Sequence, residues 1–149
     1  MAKNDLGKKW EAVFKQSWKT AFPGTLIHRL PDQMNGFKET SGNPCDFFSF
    51  KDRLYMVECK EHTGASIPFS AIPQYERLLD YKNLDKVLPG VLIWFSDKDL
   101  IYWVSIYQME KMVLDGEKSI GIRMAKDNKY KLIPIPFEKK TKYLFPDCT

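Results

Sequence analysis

The chain has 149 residues, of which 44% are apolar, 14% aromatic and 28% charged, enough for one hydrophobic core and too few for two comfortable domains. No apolar run approaches the ~20 residues of a membrane-spanning helix, and the basic stretch Met1 to Lys9 leads into no apolar signal core, so a soluble, unexported, cytoplasmic protein is expected. Three cysteines (Cys45, Cys59, Cys148) and two histidines (His28, His62) have no zinc-binding spacing, and a net charge of +4 removes strong repulsion from a polyanion without proving that one binds.

From Asp5 to Ala21, Leu6, Trp10, Val13, Phe14, Trp18 and Ala21 recur at three- and four-residue steps, which predicts one buried helical stripe. Pro23-Gly24 stops that helix, and Thr25 to Leu30 reads as a first strand ended by Pro31. Asp32 to Pro44, with its prolines, glycines and asparagines, is a long loop of the kind that often carries function. Asp46 to Phe50 and Arg53 to Lys60 then form a hairpin around Lys51-Asp52, followed by a loop from Glu61 to Ser66. Phe69 to Tyr81 is predicted as a second helix, with Pro73 tolerable only in its first turn. Val91 to Phe95 reads as a strand covered on both faces, and Asp97-Lys98-Asp99 turns it into a strand over Leu100 to Val104. A short helix over Ile106 to Leu114, stopped by Gly116, and further strand near Lys131 to Ile135 complete the chain. The expectation is one domain over residues 1–149, an α/β sandwich with a mixed central sheet, its core at about 6–104 and an extension over 105–149. A helix between the hairpin and Val91 to Phe95 is the crossover that parallel strands require.

Chemistry concentrates in the hairpin. Residues two apart on a strand share a face, about 6.6 Å apart, so Glu58 and Lys60 project together while Val57 and Cys59 project to the other side. A three-residue turn over Lys51 to Arg53 sets Asp46 directly opposite Glu58, with Cβ atoms about 4.5–5.5 Å apart; a two-residue turn sends them to opposite faces. Two facing carboxylates without imidazole or thiolate favour a hard cation, Mg²⁺ or Mn²⁺, with the Cys59 carbonyl as a third oxygen. Such a cation polarises a phosphoryl oxygen and acidifies water, while Lys60 orients that water or offsets developing charge. An isolated acidic residue two before a lysine is ordinarily a surface ion pair; the hairpin context is what raises this one.

The set Pro44-Cys45-Asp46, then Glu58-Cys59-Lys60 after eleven residues, resembles the signature of PD-(D/E)XK nucleases. Together with Glu61 to Phe69, Gln74, the strands around Val91 to Val104 and Gly116-Glu117-Lys118-Ser119-Ile120, it is similar to Holliday junction resolvases of the RecU type, in particular short phage-encoded versions, over roughly Leu6 to Ile122. The resemblance implies a restriction-endonuclease-like αβββαβ core, Mg²⁺-dependent symmetric nicking of four-way DNA junctions, a homodimer, and, for a phage protein, the host cytoplasm. It also implies Asp46 and Glu58 as metal ligands, Lys60 as the catalytic lysine, Glu11 as an extra ligand or water-orienting acid, and Gln74 as a residue near the site. The bland readings are solvent exposure for Glu11 and a helix-start cap for Gln74.

The segment from Arg123 to Lys142 carries seven basic residues, Arg123, Lys126, Lys129, Lys131, Lys139, Lys140 and Lys142, against Asp127 and Glu138. With Lys8 and Lys15 of the first helix, Arg123, Lys126, Lys129, Lys139 and Lys140 are candidate phosphate contacts, solvated faces being the alternative. Tyr130 and Tyr143 either stack on bases or cover a core edge. A Cys59/His62 hydrolase is a rival that fails because Cys59 points toward the core, and His28 is assigned no role. No GxxxxGK[ST], GxGxxG or HExxH pattern is present, so no small-molecule cofactor is expected. The alternatives to junction resolution are a related nuclease acting on flaps, mismatches or duplex, and a DNA-binding module of the same fold without chemistry.

Overall fold

The computed structural model describes residues 3–31, 43–138 and 142–143. Helix α1 (Lys3–Ala21) packs Trp10, Phe14 and Trp18, all essentially inaccessible, against one face of the sheet. The helix closes where Phe22 N–H donates to the Trp18 carbonyl at 2.8 Å and Gly24 turns the chain at φ +81°, a conformation that favours glycine. Strand β1 (Leu26–Arg29) pairs antiparallel with β2 (Phe47–Phe50), and β2 with β3 (Leu54–His62). The chain then forms β4 (Ser66–Pro68), a 3₁₀ turn over Phe69–Ala71, helix α2 (Tyr75–Leu79), β5 (Val87–Phe95) and β6 (Leu100–Ser105). Helix α3 (Ile106–Leu114) precedes β7 (Ser119–Gly121), and β8 (Ile133–Pro134), β9 (Phe137–Glu138) and β10 (Lys142–Tyr143) are short.

Six strands form the central sheet in the order β1-β2-β3-β5-β6-β8; β3 and β5 are parallel and the other neighbours antiparallel. The expected mixed sheet and parallel crossover are therefore present. Tyr55, Val57, Leu92 and Trp103 face α1, whereas Met56, Val91, Ile93 and Val104 face Met109 and Met112 of α3. The sheet is buried on both sides, which explains the unbroken apolar run of β5. Among the described residues no helix is long and apolar enough to cross a membrane.

Two expectations are corrected. The helix predicted over Phe69 to Tyr81 is a 3₁₀ turn followed by the five-residue α2. Ile72 precedes Pro73 and sits at φ −123°, ψ 67°, because a proline ring crowds the preceding residue out of the helical region. The loop predicted from Glu61 to Ser66 is in part strand: β3 runs on to His62, and Ser66 opens β4, which pairs with β7 in a separate two-stranded sheet. Residues 32–42 of the predicted long loop lie outside the described residues.

Candidate active site

The turn between β2 and β3 has three residues, Lys51 to Arg53, with Phe50 opposite Leu54 and Phe47 opposite Val57. Of the two registers open to the sequence, this one continues to Asp46 opposite Glu58. Asp46 lies one step before β2, where its N–H donates to the Val57 carbonyl at 3.1 Å and its Oδ2 accepts from Cys59 N–H at 3.0 Å. The carboxylate is thereby fastened to the edge of β3 beyond the end of β2. Because a strand residue sends its N–H and C=O to the same edge, the Cys59 carbonyl faces that edge as well.

Glu58 is 3% exposed, and its Oε2 lies 3.1 Å from Lys60 Nζ. Asp46, Glu58, Cys59, Lys60, Glu11 and Gln74 all line one open cavity of about 480 Å³, so all five proposed catalytic side chains share it. Glu11 is not on a solvated face: its side chain is 17% exposed and its Oε1 accepts from Arg29, at 2.8 Å from Nη2 and 3.0 Å from Nε. Gln74 lies just before α2, and its buried Oε1 has no hydrogen-bond partner among the described residues. Arg29, absent from the residues singled out by sequence, also lines the cavity, as do Lys8 and Glu61. Arg29 is one cation on a four-residue strand with no motif around it. The only sequence signal is its position at the strand end nearest the loop that leads to Asp46.

Burial pushes the Glu58 carboxyl up to about 8, reinforced by the charge of Asp46 and opposed by Lys60. Burial raises Asp46 too, against the Cys59 N–H and the Lys60 charge. A buried carboxylate and a half-buried one competing for one proton are a donor pair that a cation stabilises. Among the described residues no cluster of three or more His, Cys, Asp or Glu side chains forms a metal cage; the donors are two carboxylates, a backbone carbonyl and the unpartnered Gln74 oxygen. That all-oxygen set, with room in the cavity for water, suits Mg²⁺ or Mn²⁺. Burial also lifts the Cys59 thiol well above its ordinary range and the Cys45 thiol to about 12. With Cys59 packed on the α1 side, nucleophilic thiolate chemistry has no support.

The basic candidates separate. Lys8 lines the site and Lys15 an adjoining groove. Arg123, Lys126 and Lys129 line neither; Arg123 pairs with Glu117 at 3.3 Å and Asp127 at 3.8 Å, and Lys129 with Asp115 at 3.8 Å. Tyr130 is buried with its hydroxyl donating to Asp115 Oδ2 at 2.8 Å, so it covers a core edge and offers no ring to a base. Lys139 and Lys140 lie outside the described residues.

No protein-family model matches the sequence, and no curated protein matches it. The fold is similar to that of Hjc, a Holliday junction resolvase from the archaeal hyperthermophile Archaeoglobus fulgidus. The two share 16% sequence identity at a TM-score of 0.57, over 78% of this chain and 89% of that one. The likeness shows a restriction-endonuclease-like fold.

Proposed function

We propose that the protein is a divalent-metal endodeoxyribonuclease of the PD-(D/E)XK class that cuts branched DNA, its substrate a four-way junction nicked symmetrically by a homodimer. The observation that carries the reading is the shared cavity of Asp46, Glu58 and Lys60, brought together by the three-residue turn. The likeness in fold to a junction resolvase supports it, as does the resemblance of the sequence to RecU-type enzymes.

Asp46, Glu58 and the Cys59 carbonyl would hold Mg²⁺ or Mn²⁺, which when bound supplies Lewis-acid polarisation of the phosphate and an acidified water. Lys60, 3.1 Å from Glu58, keeps a cation beside the pentacovalent phosphorus, where it offsets developing charge and orients the attacking water. Glu11, held by Arg29, is placed to accept a hydrogen bond from that water. Gln74 offers its free amide oxygen to the same space. Asp46, Glu58 and Lys60 are held by their place at the β2–β3 pairing and Glu11 by its ion pair with Arg29, so none of the four needs to move far.

The test is a Mg²⁺ cleavage assay on four-way junction, flap, mismatch and linear duplex substrates. Glu58→Gln and Asp46→Asn should lower cleavage by at least a hundredfold while junction binding in Ca²⁺ persists, and Lys60→Ala should do the same. Cleavage unchanged in Glu58→Gln rejects the site. Equal activity on linear duplex rejects the junction as substrate.

A further inference from the structure

We propose that the Lys8 to Lys15 face of α1 is the track along which the DNA strand leaves the scissile phosphate. The inference rests on the nuclease reading above and adds the path of the bound strand, which that reading leaves open. Lys8, Glu11, Ala12 and Lys15 stand at positions i, i+3, i+4 and i+7, one continuous stripe of the helix, beside the buried row of Trp10, Phe14 and Trp18. With Arg29 and Phe47 this stripe lines a groove of about 340 Å³. The groove shares Lys8, Glu11 and Arg29 with the cavity that holds Asp46 and Glu58, so the two are adjoining parts of one channel.

Charge selects the occupant. Glu11, the one acid of the stripe, has its carboxylate engaged by Arg29 at 2.8 Å, whereas Lys8 and Lys15 form no ion pair among the described residues. Seven helical residues span about 10.5 Å, so Lys8 and Lys15 stand far enough apart to meet different phosphates of one strand, and Ala12 between them leaves the backbone room to lie against the helix. The competing basic surface has Arg123 and Lys129 paired to carboxylates and lies apart from both cavities.

Binding of a fluorescent four-way junction and a linear duplex, measured by anisotropy in Ca²⁺ across a salt series, tests this without requiring cleavage. Lys8→Glu and Lys15→Glu should each weaken binding about tenfold and lower the salt slope by about one, with Lys15→Arg restoring both. Ala12→Leu should weaken binding about threefold with the slope unchanged, because it fills the groove without altering charge. Lys126→Glu should stay within twofold of the parent. Parent-like binding by Lys8→Glu and Lys15→Glu, or an equal loss in Lys126→Glu, overturns the track. Absence of cleavage by the parent protein in any metal overturns the nuclease reading alone, since the binding measurements stand apart from it.

Discussion

Glu58 is buried beside Asp46 in a strand that has no freedom to turn it toward solvent, and its folded-state pKa of about 8 lies above its ordinary 4.5. Between those values the folded chain keeps a proton that the unfolded chain has lost, so stability falls as pH rises through this window and levels off above it. At about 1.4 kcal/mol per pKa unit, the metal-free loss is on the order of a few kcal/mol, or about 5–10 °C in melting temperature for a domain of this size. Thermal melts in EDTA from pH 5 to pH 8 should show that fall, and Glu58→Gln should flatten it; a parent Tm that rises over the same range would contradict the buried, proton-holding carboxyl. Mg²⁺ should reverse the trend, stabilising more at pH 8 than at pH 6, because the ligands must be deprotonated to bind it. At this scale the sequence revealed the type of each group in Asp46, Glu58 and Lys60 but left their convergence undecided, because one residue more or less in the turn exchanges the faces. It did not reveal Arg29, whose contact with Glu11 spans eighteen residues and follows no local period.

Elements defined by period were legible, and those defined by tertiary pairing were not. Helix α1 and the hairpin follow from three- and four-residue steps and from alternation. The β4–β7 ladder joins two three-residue segments more than fifty positions apart, too short for any periodicity to register. A proline is tolerable in the first turn of a helix, yet the effect of Pro73 on Ile72 delays α2 to Tyr75. The β5–β6 hairpin was legible from its turn, but how tightly Gly90 packs against β6 was not. A Cβ on Gly90 would lie 2.6 Å from the Trp103 ring and 2.7 Å from the Val104 carbonyl, and neither a buried indole nor strand backbone can yield cheaply. Gly90→Ala should therefore destabilise the protein by about 1–3 kcal/mol, the usual cost of overpacking, seen as a lower midpoint in urea at unchanged m-value. Gly7→Ala, whose Cβ would meet nothing within 4 Å, should leave the midpoint equal or raise it.

Across the whole molecule, the site exists because β2 pairs only with Leu54 to Val57 while β3 continues to His62. That offset leaves a notch at the sheet edge, floored by Glu58 and Lys60 and walled by α1 on one side and Gln74 on the other. One such notch serves one scissile phosphate, whereas resolution of a four-way junction needs two cuts on opposed strands. A twofold pair of chains supplies both. Under the proposed function, mixing parent protein with an equal amount of Glu58→Gln, after subunit exchange, should leave about a quarter of dimers with two competent sites. On a supercoiled plasmid carrying an extruded cruciform, linear product formed in a single binding event should fall to about that quarter while nicked circles accumulate from the mixed dimers. If linear product instead falls only to half, with no rise in nicked circles, each competent chain acts without exchanging its partner or without needing one. Sedimentation of the same mixture separates these outcomes, because a dimer sediments as about 35 kDa, twice the 17.4 kDa chain.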